Sequence, residues 1–309
     1  MASQTFSAHS ATAALMKADE VVGKVILWKP KNEEQERFLK EFFPACRSDV
    51  PKVVEITSTA SWSPKRADDM AKAIGAKRKL KKLDESDLLF VPMYVAGKLD
   101  VLVKWSEGGN PEAVDMTRER DKFCYPGVSI EDGGVSFYQS EGHPHAIACL
   151  STESPYSVYL TQATEELAGL DLFGHIVLLH HNLRIHWGYS GVKFPMVDFT
   201  DQPDISWFAG MNAPIGEHER LPTTDNWVSI MEALQDNILR MDEVGARVVS
   251  VTRMGMGLIG SFAQPMPPPP LIIEEAFYFW LVRNDCQLPL FAAYVEEEKW
   301  KKPKSLTDL

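Results

Sequence analysis

This chain reads as an α+β protein, in which antiparallel strands and dispersed helices are mixed instead of alternating as strand–helix units. Two observations carry that reading. Strand-like runs crowd residues 88–95, 100–105, 134–138, 145–150 and 157–161, with little helical sequence between them. Farther on, Trp227 to Val295 alternates strand-like runs with one long loop rich in Gly and Pro. No internal repeat is visible.

The first clear element is Glu33–Phe43, where Phe38, Leu39, Phe42 and Phe43 share one face of an amphipathic helix. Val53–Ser63 is rich in β-formers. Ser63-Pro64 opens a further helix, with Ser as N-cap and Pro in the first turn. After the crowded strands, a helix is expected around 164–182 and an extended stretch at 183–197. A helical stretch over Val228–Leu234 leads into a strand ending at Asp242, Glu243 and Gly245. Two apolar strands follow the long loop, Leu271–Val282 and Leu288–Val295. The Gly/Pro-rich joints at 106–111 and 263–270 read as loops within one domain spanning 1–309, with residues 1–32 unassigned.

Composition narrows the function classes. A hydrophobic content of 45% supports a sizeable core, and the net charge of −11 opposes nucleic acid or an anionic membrane as partner. The basic run Lys77–Lys82 is local and reads as a solvated helix end. Cys46, Cys124, Cys149 and Cys286 are widely spaced, which suits free thiols in a reducing compartment. With no signal-peptide pattern, glycosylation sequon or long apolar run, a cytoplasmic protein without membrane insertion is expected.

The most informative stretch is Trp227–Val295. Pro267–Pro270 imposes a polyproline-type segment without hydrogen bonds, so the loop before it is expected to be exposed. Long exposed loops in compact domains are functional or disordered. Four landmarks occur in order: Met241-Asp242-Glu243-Val244-Gly245, Met266–Pro270, Ala276-Phe277-Tyr278-Phe279 and Leu290-Phe291-Ala292-Ala293-Tyr294-Val295. Together they resemble the C-terminal third of the serpin superfamily. There, a strand ending in acidic residues and Gly leads to the reactive-centre loop, a proline-rich patch and two final strands.

Upstream, Leu89–Lys98 resembles the family's central-sheet strand, and Val114-Asp115-Met116 with Phe123-Cys124-Tyr125 resembles the next strand pair. Val192–Met196, Trp207–Met211 and the Ala67–Ala76 helix are similar to further family elements. The resemblance implies a large antiparallel central sheet, surrounding helices and an exposed reactive-centre-type loop at about 246–263. It also implies that strands 88–95 and 235–243 are neighbours. Between Ala76 and Leu88 there is no room for the helix that normally covers the central sheet.

The family mechanism is mechanical: a protease cleaves the loop and is trapped as the loop inserts into the sheet. The resemblance places the hinge at Glu243, Gly245, Ala246, Val248 and Ser250. Gly245 and Ala246 suit a tight slot. Val248, Val249 and Val251 are larger and stiff at χ1, and overpacking costs about 1–3 kcal/mol per site. Slow insertion lets the acyl-enzyme hydrolyse, leaving a cleaved substrate. The scissile-bond candidates are Arg253-Met254, Met256-Gly257 and Ile259-Gly260, the last at the family's usual offset from Gly245. The switch positions fall on Val91, Leu99 and Gln235 in place of Asn, Trp and His, with Pro92 in the strand. On that alignment the buried polar network of the sheet is expected to be missing.

Two readings follow: an inhibitor-like protein whose bait loop meets a serine or cysteine protease, and a non-inhibitory module binding another host protein. Virally encoded serpins likewise lack secretion signals and tolerate deletions, which implies modulation of host defence. Rival chemistries are weaker. Gly255-Met256-Gly257-Leu258-Ile259-Gly260 matches a dinucleotide motif, yet Pro265 and Pro267–Pro270 leave no room for the helix that would hold a pyrophosphate. No cofactor is expected. His180, His181 and His186, and Asp198, Asp201 and Asp204, lack metal-site spacing. No catalytic arrangement is readable, so the chain is not expected to be an enzyme.

Overall fold

The computed structural model describes residues 3–61, 69, 94–118, 121–131, 133–216, 226–246 and 268–306. Its largest unit is a seven-stranded antiparallel sheet. The strand order is β1 (Gln4–Phe6), β19 (Phe291–Val295), β18 (Phe277–Arg283), β9 (Tyr156–Gln162), β8 (Ile147–Ser151), β7 (Val135–Ser140) and β10 (Leu183–Ile185). The β18 sequence FYFWLV carries no polar alternation because both faces of the strand are covered. Phe277, Phe279 and Leu281 join one buried cluster, while Tyr278, Trp280 and Val282 join the other. Helix α4 (Gly169–His181) packs its Leu172, Phe173 and Ile176 into the second cluster.

A second sheet runs β17 (Leu271–Ile272), β11 (Gly191–Pro195), β6 (Asp121–Glu131), β5 (Asn110–Arg118). The expected pairing of Val114-Asp115-Met116 with Phe123-Cys124-Tyr125 is there, in the register Val114↔Tyr125 and Met116↔Phe123. Only β11 and β17 pair in parallel among the named strands. A third sheet runs β12 (Val197–Asp201), β15 (Asn237–Met241), β16 (Gly245–Ala246), β4 (Val103–Lys104). Two-stranded pairs join β2 (Ile56–Ser61) with β3 (Tyr94–Leu99), and β13 (Asn212–Pro214) with β14 (Trp227–Ser229).

Residues before 33, unassigned from the sequence, are integral to the fold. Gln4, Thr5 and Phe6 pair with Tyr294, Ala293 and Ala292. Ser7 then caps α1 (Ala8–Val22), its hydroxyl accepting from the Ser10 N–H at 3.4 Å. Gly23, at φ +77°, ends the helix in the left-handed conformation that favours glycine. Helix α1 packs against β2 and β3. Gly97 permits that approach, since a Cβ there would run into the Ser10 carbonyl. The amphipathic segment after Asn32 is α2 (Glu33–Arg37), a π-helical turn over Phe38–Phe42, and α3 (Phe43–Asp49). It buries Phe38 and Phe42. The Phe43 N–H reaches back to the Phe38 carbonyl just before Pro44, which has no N–H to give.

Two expectations are corrected. Val228–Leu234 is not helical: Trp227–Ser229 is a strand held by β13, and tertiary pairing overrides the local helix propensity. Leu271–Val282 is not one strand, because the chain leaves β11 after Ile272 and enters the seven-stranded sheet at Phe277. The expected pairing of 88–95 with 235–243 lies outside the described residues for 88–93; Tyr94 and Val95 pair with Ser61 and Ala60 of β2, and β4 pairs with β16, the strand following β15. The Ala67–Ala76 helix, the Ser63-Pro64 cap, the Lys77–Lys82 run and the space for a covering helix lie outside the described residues, apart from Asp69.

Candidate functional site: the turn of the third sheet

Strand β15 alternates its burial, with Asn237, Leu239 and Met241 inward and Ile238 and Arg240 toward the surface. It pairs antiparallel with β12 from Val197↔Met241 to Asp201↔Asn237. At its end the chain reverses. The Asp242 carboxylate accepts the N–H groups of Val244 at 2.8 Å and Gly245 at 3.2 Å, and the Asp242 N–H donates to the Gly245 carbonyl at 2.9 Å. An aspartate that binds the backbone two and three residues on is the usual means of locking so tight a turn. Ala246 then lies between two strands, opposite Met241 on one side and Val103 on the other. Only glycine fits at 245, because a Cβ would collide with the Val103 carbonyl.

Trp105 closes this turn from the other strand. Its indole N–H donates to the Asp242 carbonyl at 3.0 Å, and its backbone N–H donates to the Val244 carbonyl at 3.1 Å. The Gly109 N–H reaches the Glu243 carbonyl at 2.9 Å. Trp105 is buried, edge-on to Phe194 with ring centroids 6.1 Å apart. Burial raises the Asp242 carboxyl above its ordinary range, opposed by the two N–H groups it accepts. Glu243 is lowered, chiefly by its hydrogen bond from Lys302 at 2.8 Å.

At the other end of β15 lies a buried polar network, where the resemblance implied none. The Gln235 side-chain carbonyl accepts from the Ser7 N–H at 3.2 Å and from the Asn237 amide at 3.1 Å. Its NH₂ donates to the Ser7 carbonyl at 3.0 Å and the Ser10 hydroxyl at 2.9 Å. Asn237 also donates to the Thr5 hydroxyl at 2.8 Å, which itself donates to Asp201 at 2.6 Å. Three of the four partners beyond Gln235 and Asn237, namely Thr5 of β1, the cap Ser7 and Ser10 of α1, belong to the unassigned first 32 residues, so they gave no signal in the sequence.

The structure brings Glu243, Gly245, Ala246 and Gln235 into one region. Leu99 stands elsewhere, at the end of β3 opposite Ile56. The tryptophan that meets the turn is Trp105, which the sequence reading did not single out. Its signal was present as Val101-Leu102-Val103-Lys104-Trp105, an apolar strand closing on a Trp. Val91, Val248, Ser250, Arg253, Met254, Met256, Gly257, Ile259 and Gly260 lie outside the described residues.

Chemistry elsewhere is confined. His9 lies 3.7 Å from the Cys46 sulfur and 3.6 Å from the Asp49 carboxylate, in the order of a nucleophile, base and orienting acid. All three are fully buried, and burial drives the Cys46 thiol well above its usual range, away from the reactive thiolate. Among the described residues no group of His, Cys, Asp and Glu could hold a metal ion, and no helix is long and apolar enough to cross a membrane.

No family model and no curated protein sequence matches this chain. Solved structures do. A thermophilic serpin, tengpin, in its native state matches with a TM-score of 0.53 at 14% identity, over 96% of this chain and 88% of that one. Serpin48 of the insect Tenebrio molitor gives 0.51 at 13% identity, over 96% and 92%. Human thyroxine-binding globulin, solved as a complex with thyroxine, gives 0.52 at 10% identity, over 95% and 91%. At such identities the likeness is one of fold, and the fold is serpin-like.

Proposed function

We propose that this serpin-fold chain meets a serine or cysteine protease through the loop that leaves Gly245, at about 246–263, and is cut there. The observation that carries the reading is the reversal at Asp242–Gly245, which seats Ala246 between Met241 and Val103. A chain segment begins there as an added strand, the geometry that loop insertion requires. The polar network of Gln235, Asn237, Ser7, Ser10 and Thr5 underlies the same strands and gives them fixed partners.

Val248, Val249 and Val251 then decide the outcome. Their bulk slows insertion, so the acyl-enzyme hydrolyses before it is trapped. The test is incubation with trypsin-like, chymotrypsin-like and cysteine proteases, read on a denaturing gel. Cleavage confined to 246–263 is expected, and a panel that leaves this loop intact would sink the reading. The same valines favour a second function, a non-inhibitory module that binds a host protein in defence modulation. That reading gains if a protein partner binds a variant whose loop has been replaced by Gly and Ser.

A further inference from the structure

The segment after β19 does not leave the molecule but runs back across the hinge sheet. Glu297–Lys299 forms one 3-10 turn, and Trp300 then bridges to Val197 at the start of β12. The Trp300 ring stands edge-on to Tyr125, with centroids 5.1 Å apart, and tilts against Phe277 at 6.3 Å. Farther along, the Ser305 carbonyl accepts from Arg240 of β15 at 3.0 Å, while that guanidinium also pairs with Asp198 of β12 at 3.1 Å. Leu306 is buried in the same core cluster as Leu239 and Met241. Between these anchors Lys302 reaches the turn itself, 2.8 Å from Glu243.

We propose that Glu296–Leu306 is a strap that fixes the hinge, with Lys302 as the positioning residue that holds Glu243 and so keeps Ala246 paired between β15 and β4. The strap touches β12, β15 and the turn, and is fastened through Trp300 to residues of the other two sheets. For the turn to unroll, Glu243 must give up Lys302. One Glu243 carboxylate oxygen is buried without a hydrogen-bond partner, and Lys302 is the largest influence that keeps the carboxylate charged, beside the Glu243 backbone N–H. The regulatory meaning of the strap rests on the bait-loop reading, whereas the contact itself does not.

The experiment is amide hydrogen exchange at Val244, Gly245 and Ala246 in the full chain, for the wild type, K302E and the reversed pair E243K/K302E. Lys302 has a side chain 56% exposed, so the single variant folds. Exchange at the turn should rise about fivefold in K302E and return to the wild-type rate in the reversed pair. Tryptic cleavage at Arg253 is followed in parallel. Unchanged exchange in K302E, or fast exchange that the reversed pair fails to slow, overturns the strap even if the loop is cut. Exchange that responds as expected on a loop no protease cuts removes the bait-loop reading, and with it the strap's regulatory role.

Discussion

Trp105 and Asp242 are joined across the mouth of the third sheet by an indole N–H donated to a backbone carbonyl at 3.0 Å. That bond, with the Trp105 backbone N–H on Val244, makes the end of β4 and the turn after β15 one rigid corner. Trp105→Phe keeps an aromatic ring against Phe194 but leaves the buried Asp242 carbonyl without this donor. We expect a loss of about 1–3 kcal/mol in urea unfolding. An unchanged midpoint would mean that the corner is held by the backbone bonds alone.

Gln235 makes four hydrogen bonds that join the stretch before β15 to Ser7, Ser10 and Asn237. Gln235→Leu preserves volume but strips the Ser7 N–H of its partner, while the Ser7 carbonyl keeps the Ser10 hydroxyl and Asn237 keeps Thr5. A destabilisation of roughly 1–3 kcal/mol is expected, since a buried donor is left unpaired. Denaturant titration of the variant checks this. A cost below about 0.5 kcal/mol would show that the network sets specificity and not stability.

Stability should fall on mild acidification. Burial pushes His143 down to about 4, aided by His145 and His175, and does the same to His180, aided by His181. Unfolded histidine titrates near 6.5, so between about pH 6.5 and 4 the unfolded chain binds protons that the folded protein refuses. Above that window both states are neutral and the full stability is present. The loss should be on the order of a few kcal/mol by pH 4. His180→Phe, which keeps packing against Tyr159 and Trp280, should flatten the profile. A urea midpoint constant from pH 7.5 to 4.5 would refute the assignment.

Trypsin-like enzymes should cut the native protein first at Arg253, the only basic residue between Arg247 and Arg283. Mass spectrometry should find termini at Arg253 and Met254, no denaturant-resistant adduct, and little change in melting temperature. A covalent complex, or a large rise in melting temperature after the cut, would show that the hinge valines do not prevent trapping.

The fold class and the β18–β19 pair were legible as apolar runs buried in the largest sheet, whereas the β5–β6 hairpin, with its mixed polar sequence, was reached only through the resemblance. The strand β1 was not legible, since three residues show no period and the partner lies at the other end of the chain. Helix α1 hid for a different reason. Its contact face is Ala, Ser and Thr, small residues chosen for close approach to Gly97, so it shows little contrast between its sides. At the site, Gly245 and Glu243 were placed by the resemblance. Trp105 required knowing which strand passes beside β16, and the Gln235 network required Ser7 and Ser10, far away at the other end of the chain.

The pairing of Gln4 with Tyr294 has a consequence for how the molecule is made. During synthesis the first strand emerges early but has no edge to join until the last strands have left the ribosome. Until then Phe6 and the adjoining face of α1 stay without their final cover. Contacts so remote in sequence slow folding and leave sticky intermediates in the meantime. A nascent chain stalled before β19 should therefore bind chaperones through its first residues, and release them only when Phe291–Val295 become available.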